Sequence, residues 1–499
     1  MKHKFPVNFL LTLFFAMLGM AVMGYHPGME DDGVYLTAVK SDLNPALYLH
    51  NADFFRTQVQ ASIFDKCIAG FVRGTGIPVT ATEFLFQLAS ILLIVFACWS
   101  IARALFPEAR AQWAGVALVT AMFTLPVAGT ALYLVDQHLH PRNLATALIL
   151  LAVARILKNK KWSAVPLLLA AFLFHPIMGA MGISFCFFLT MVLLEPVRQW
   201  LQSWRGMEQQ AAEGSLVAAA VPLGGIFESP TPAWRKVVEM HASLFLYRWT
   251  WYELLGALAP LLLFGLLWRF ARKRREMPLA RFALAVLLYG VFQMAVAMVM
   301  LGIPALIRLA PLQPMRFLHL VYFFMTLLGG CLLGKFLLKA SVWRWAVFLV
   351  AINGGMFLSQ RMLFASSEHL ELPGRVSANP WLQAFAWIRQ NTPTDAYFAL
   401  DPEYMAAPRE DYHSFRALAE RSQLADDIKD SAVVTVVPKL APEWARQTKA
   451  QEGWSHFQLA DFERLKAEFG VDWVVVLNPQ AAGLACEWRN ELVSVCRVP

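Results

Sequence analysis

The feature that most limits this chain is a succession of apolar runs, each close to the length of a membrane-crossing helix. They fall at 5–25, 80–105, 112–133, 142–158, 252–270, 279–301, 316–338 and 342–363. A helix needs about 20 apolar residues to cross a bilayer's hydrocarbon. A further block, 162–194, is too long for one ordinary crossing and short for two. Apolar residues make up 58% of the 499 and charged residues 16%, whereas soluble domains sit near 45–50% and about 25%. A water-soluble fold of this size cannot hide so much apolar surface. A soluble enzyme, a disordered chain and a fibrous repeat are therefore excluded. The expected fold is mainly α: a polytopic membrane bundle of about 10–12 spans with a small C-terminal α/β domain. Lys2 and Lys4 precede the first run, and no Ala-x-Ala follows it. It reads as a retained span and not as a cleaved signal peptide.

Charge sets the expected orientation. Residues 1–365 carry 30 Lys and Arg against 16 Asp and Glu, while residues 366–499 carry 13 against 19. The basic excess lies in short turns, such as Arg155–Lys161 and Arg272–Arg275. This is the pattern of cytoplasmic loops, and it argues against nucleic-acid binding. With the N-terminus cytoplasmic, these turns and the Lys335/Lys339/Arg344 turn lie inside a cell (inner) membrane, and the C-terminal domain lies outside it. The rule requires an odd number of crossings between 161 and 250. Either 162–194 crosses once, kinked at His175-Pro176, or it crosses twice and the weak segment 211–227 adds a third.

On that orientation the polar residues able to do chemistry gather outside. Glu30, Asp31 and Asp32 follow the first span, at the head of an outer loop covering 26–78. Val59, Ile63, Phe64, Cys67, Ile68 and Phe71 recur at helical spacing over 57–72, an amphipathic helix suited to the membrane interface. A carboxylate just outside the bilayer can take a proton from an acceptor hydroxyl or hold a divalent cation such as Mg or Mn. It can equally cap a helix. His138, His140, Arg142 and Asn143 enter the 142–158 run. Arg142 follows Pro141, so its guanidinium and free backbone N–H groups could meet one anion. Arg316 follows Pro314 in the same manner, near Gln313, Arg308 and His319, although helix-end snorkelling explains it as well. Asp136, His138 and His140 alternate and could chelate a metal if extended. His175 is either functional or satisfies a carbonyl freed by Pro176. Over Leu246–Glu253 aromatic residues, Trp251 among them, alternate with polar ones such as Arg248 and Glu253, as in a membrane girdle or a sugar-stacking surface.

The acidic pair with a tyrosine three residues on (Asp31-Asp32-x-x-Tyr35), interface helices, many spans and an outer C-terminal domain together resemble the GT-C superfamily of membrane glycosyltransferases. The likeness covers roughly 1–365 and is nearest to bacterial members without assigned activity. The Trp-Trp-Asp triplet of the oligosaccharyltransferases is absent. The resemblance implies transfer of a sugar from a polyprenyl-phosphate donor to a glycan, lipid or protein acceptor on the outer face, with inversion. Asp31 or Asp32 would be the base or a metal ligand. Glu30, Tyr35, His138, His140, Arg142, His175, Arg248, Trp251, Gln313, Arg316 and His319 would bind substrate. Metal dependence stays open, with Asp31, Asp32, His138 and His140 as the candidate ligands for a divalent ion. The rival readings are a lipid or glycan transporter or flippase, and a non-catalytic assembly protein of the same fold.

Residues 366–499 form the expected second domain. The patterns give helices at 380–390, 414–421, 441–450 and 459–469, and strands at 397–400, 433–437, 474–477 and 492–498. No Gly-rich phosphate loop occurs. Cys486 and Cys496 are placed to form a disulfide in an oxidising compartment, or remain two buried thiols.

Overall fold

The computed structural model describes residues 4–194, 231–479 and 481–499; the weak segment 211–227 lies outside them. Helix α1 (Lys4–Met23) ends at Gly24, whose φ of +86° lets the chain turn where a side chain would strike the His26 ring and the His369 carbonyl. Tyr25 then pairs with Leu370, and a single turn at Glu30–Gly33 leads into α2 (Tyr35–Leu43). The expected 57–72 interface helix is instead two helices, α3 (Asp53–Val59) and α4 (Phe64–Thr75). Part of their apolar side is buried: Val59, Phe64 and Ile68 pack in a protein core, while Cys67 is exposed. Next come α5 (Val79–Leu105) and α6 (Ala109–Ala121).

The 112–133 run is not one continuous crossing. The helix stops at Ala121, and a hairpin follows, β1 (Pro126–Val127) against β2 (Leu132–Tyr133). Gly129 in its turn has φ +63°, and the Trp249 ring lies where its side chain would be. After α7 (Pro141–Leu157), the 162–194 block is also divided, into α8 (Val165–Phe174) and α9 (Pro176–Leu193). Gly179 lies directly against the Phe172 backbone, so α9 turns back along α8. A straight helix would separate them by about 10 Å at 1.5 Å per residue. The break at His175-Pro176 is thus a reversal and not the kink of a single crossing. The remaining helices of this part are α10 (Pro232–Met240), α11 (Trp251–Lys273), α12 (Met277–Gly302), α13 (Leu318–Leu332) and α14 (Val342–Leu363).

Six described segments are long and apolar enough to cross a membrane: Val79–Leu105, Pro176–Leu193, Trp251–Lys273, Met277–Gly302, Ala305–Leu338 and Val342–Leu363. Their outward faces carry large exposed apolar side chains, among them Leu262 and Leu266 on α11, Met298 on α12, and Val350 and Met362 on α14. Apolar exposure on that scale requires hydrocarbon around it.

The C-terminal part contains α15 (Pro380–Asn391), β3 (Tyr397–Ala399), α16 (Phe415–Ala419), β4 (Ser422–Gln423), α17 (Lys429–Val436), α18 (Ala441–Ala450), α19 (Leu459–Phe469), β5 (Trp473–Leu477), β6 (Ala485–Arg489) and β7 (Val493–Arg497). The sheet order is β4-β3-β5-β7-β6. β3 is parallel to β4 and β5, and β7 is antiparallel to β5 and β6. Trp381, Phe385 and Ile388 of α15 cover one face, and Phe462 and Leu465 of α19 cover the other. Cys486 and Cys496 are opposed on β6 and β7 and are disulfide-bonded.

The expected strand at 433–437 is helix α17. Its Val-Val-Thr-Val-Val run favours a strand by propensity, but the Asp426 carboxylate accepts the N–H groups of Ile428, Lys429 and Asp430 and starts a helix. Val433 and Val434 then pack with α2–α4 and α10 in one core. Further bonds tie the first loop to this part. Lys40 donates to the Ala417 carbonyl and Glu420, and Tyr48 to the Arg416 carbonyl.

Arg416 and Asp430 form a buried two-pronged ion pair at 2.6 and 2.7 Å. Removing one partner of such a pair strands a buried charge, at about 3–5 kcal/mol. Arg416→Ala should lower the detergent-solubilised melting temperature sharply. Arg416→Met with Asp430→Leu should recover most of the loss, both read by thermal denaturation.

Candidate functional site

A cavity of about 580 Å³ opens where the first loop, the α8–α9 reversal, the 304–317 turns and α17 meet. Asp31, Tyr35, His140, His175, Gln313 and Arg316 all line it. Lys429 and Trp234 line it too, and nothing in the local sequence around either marked it. The only conceivable signal for Lys429 is its place as one cation in the acidic run Asp426-Asp-Ile-Lys-Asp430.

Asp31 is half-buried and accepts from two sides. His140 Nε2 lies 3.1 Å from Oδ2, and Lys429 Nζ lies 3.2 Å from Oδ1. The tautomer of His140 follows from its other nitrogen. Nδ1 accepts the Arg142 backbone N–H at 2.9 Å, as the cap of α7. Nδ1 therefore has no proton, and Nε2–H donates to Asp31. Burial and the Arg142 guanidinium push His140 below the ordinary imidazole range. Burial also opposes the Asp31 carboxylate, but Lys429, His140 and Arg142 together outweigh it and hold that carboxyl well below the usual range. Lys429 bonds Glu30 as well, and these two carboxylates keep it protonated despite burial.

The acidic pair divides by direction. Asp32 is 1% exposed, and its Oδ2 accepts the Gly28 N–H at 2.8 Å. Burial, then Glu83, raises its carboxyl well above the usual range. It is a buried turn residue outside the cavity wall. Glu30, at φ +53°, faces a second cavity of about 610 Å³, which Arg248, Trp249, Tyr252 and Glu253 also line.

Several expected binding residues serve the scaffold. Arg142 is paired with Asp136 through two nitrogens and does not line the cavity. Asn143 bonds the Asp136 and His138 carbonyls and Gln87, which ties down the loop before α7. His138 is buried, and desolvation drops its pKa to about 3. His319 donates from Nε2 to the Leu134 carbonyl at 2.9 Å. Trp251 is 75% exposed and stands outside both cavities. Asp31, Asp32, His138 and His140 do not converge on one point as a metal would require. Among the described residues, the one set of three or more His, Cys or carboxylate donors with ligand atoms within 4.8 Å is His26, Glu371 and His413, away from this cavity.

The cavity wall thus carries the ionised Asp31, bonded to Lys429, together with Arg308 and Arg316, and Arg308 lies 6.0 Å from the Trp234 ring centre. The Arg316 Nε is buried without a hydrogen-bond partner among the described residues. Phe174, Ile177, Leu312, Val433 and Val436 make the rest of the wall apolar. Such a site fits an anion with a greasy tail.

No family model and no curated protein matches this chain. Among solved structures, the Archaeoglobus fulgidus oligosaccharyltransferase complexed with zinc and sulfate aligns with 94% of this chain and 68% of its own, at 11% identity and a TM-score of 0.38. Its apo form aligns over 80% and 47%, at 15% identity and a TM-score of 0.22. The archaeal oligosaccharyltransferase AglB of the same organism, with an inhibitory peptide and a dolichol-phosphate, aligns over 94% and 57%, at 14% and 0.22. Likenesses this loose assign no residue a role.

Lys429 is the partner whose loss the Asp31 carboxylate should feel most. Lys429→Gln removes a positive charge, so the Asp31 pKa rises and less of it is ionised in acid. The acid limb of any Asp31-dependent activity should move to higher pH, read from the pH–rate profile against wild type.

Proposed function

We propose that this protein is a membrane glycosyltransferase that moves a sugar from a polyprenyl-phosphate donor to an acceptor hydroxyl on the outer face. The carrying observation is the amphipathic cavity whose wall carries the ionised Asp31 together with three cations. In this reading the donor phosphate sits by Lys429, Arg308 and Arg316, and the prenyl chain leaves along the apolar wall. The acceptor enters from the second cavity, on the Glu30 side of the turn.

Asp31 takes the acceptor's hydroxyl proton as the oxygen attacks the anomeric carbon from the face opposite the phosphate. The carbon–oxygen bond to the phosphate breaks, and its electron pair stays on the phosphate oxygen beside the cations, with inversion. The low pKa of Asp31 makes it a weak base but keeps it ionised across the physiological range. Bonds from His140 and Lys429 occupy one lone pair on each oxygen and aim the carboxylate.

Asp31→Asn should cost about 10²–10⁴-fold in transfer, the usual worth of a positioned base. Asp32→Asn keeps an oxygen for the Gly28 N–H and should retain activity within a few-fold. Sugar transfer in proteoliposomes supplied with polyprenyl-phosphate sugar reads both. Wild-type rates in Asp31→Asn would reject the mechanism.

A further inference from the structure

A second polar cluster lies where three distant parts of the chain meet. His26 follows α1, Glu371 follows α14, and His413 precedes α16. Short backbone bridges bring them together, Tyr25 with Leu370 and Met29 with His413. Both imidazoles are fully buried, and the Glu371 side chain is 10% exposed. His26 Nδ1 lies 2.7 Å from Glu371 Oε1, and His413 Nε2 lies 3.0 and 3.2 Å from the two carboxylate oxygens.

The chemistry of His413 narrows what joins these groups. Its Nδ1 faces the Glu410 carbonyl at 3.0 Å. A carbonyl only accepts, so Nδ1 carries the proton and Nε2 turns either a lone pair or a second proton toward the carboxylate. A lone pair facing two carboxylate oxygens at 3 Å is repulsive unless a cation lies between. A backbone carbonyl holding the far nitrogen is also the outer support that metal-ligating histidines ordinarily have. On the other side, His26 Nε2 is buried with no hydrogen-bond partner among the described residues. Its ring stacks on Phe364 at 4.4 Å, and its Nδ1 edge is turned to Glu371.

We propose that His26, Glu371 and His413 bind one divalent transition-metal ion of the zinc class. Two imidazoles and one carboxylate suit zinc better than magnesium or calcium, which prefer all-oxygen shells. Three protein donors leave a fourth position, and the partly exposed edge at Glu371 admits water to it. Zinc bonds of about 2.0–2.2 Å would space neighbouring donor atoms by about 3.3 Å. The 2.7 Å contact must therefore widen by roughly half an ångström on loading. The ion would clamp the end of the first span, the segment after the last described apolar helix and the C-terminal part to one point. None of the three residues lines the proposed donor cavity, so this site stands or falls independently of the transferase reading.

The test uses full-length protein in detergent, stripped with chelator and titrated with zinc and then with cobalt. One equivalent of zinc should be retained through gel filtration. Cobalt should give the visible absorption of a four-coordinate site. Glu371→Gln and His413→Gln should each weaken zinc binding tenfold or more, the usual cost of disturbing a ligand set. Asp31→Asn should leave it unchanged. Glu371→Gln keeps a hydrogen-bonding side chain, so it reports on the ligand even if His413→Gln folds poorly. Zinc lost on gel filtration, no cobalt band, or wild-type affinity in Glu371→Gln would each overturn the site, leaving a proton as the bridge.

Discussion

Among the described residues, Asp31 is the one carboxylate lining the main cavity, and it is held by two groups from distant parts of the chain. His140 comes from the cap of α7, and Lys429 is the first residue of α17, almost 400 positions away. Each partner is itself fixed. The Arg142 N–H sets the His140 tautomer, and the Asp426 carboxylate and the Arg416–Asp430 pair set the start of α17. A half-buried carboxylate without such partners would protonate or draw in water. The membrane bundle and the C-terminal part are thereby coupled electrostatically. Separating them leaves Asp31, Glu30 and Lys429 without their ion-pair partners.

The surrounding cavity combines properties that seldom coexist in a soluble site. Its wall combines the cations Lys429, Arg308 and Arg316 with aliphatic and aromatic side chains. Charges near lipid persist when they face a protein interior or water and not hydrocarbon. The α8–α9 reversal contributes to this setting, because it brings His175, Pro176 and Ile177 to the cavity wall. Arg142, which stands just behind the cavity, is neutralised by Asp136. It steadies the loop before α7.

Much of the fold was legible. Helices at 380–391, 441–450 and 459–469 follow apolar spacing with clear stop residues, and the strands at 473–477 and 493–497 follow β-branched runs. The errors have local causes. Val433–Val437 has strand propensity, but a carboxylate cap and burial against α3 and α10 decide for helix. The 112–133 run is apolar throughout, and hydropathy does not register that Pro126 and Gly129 reverse the chain. The 57–72 pattern is amphipathic as read, but part of its apolar side meets protein. Asp31, His140, His175, Gln313 and Arg316, singled out by residue type and position near the ends of apolar runs, line the cavity, as does Tyr35 from the acidic-pair motif. Asp32, His138, Arg142 and His319 carried the same signals and serve the scaffold.

Composition and the spacing of apolar runs determined by themselves that this chain is a helical membrane protein with a small mixed domain after its last apolar run. Hydrophobic transfer acts residue by residue along the sequence, so it can be summed without knowing the fold. Which of two adjacent aspartates faces the cavity, and that a lysine near position 430 completes the site, was decided only by the tertiary structure. Direction around a single turn depends on a few dihedral angles, and pairing across 398 residues depends on how distant segments pack. Neither leaves a trace in local sequence.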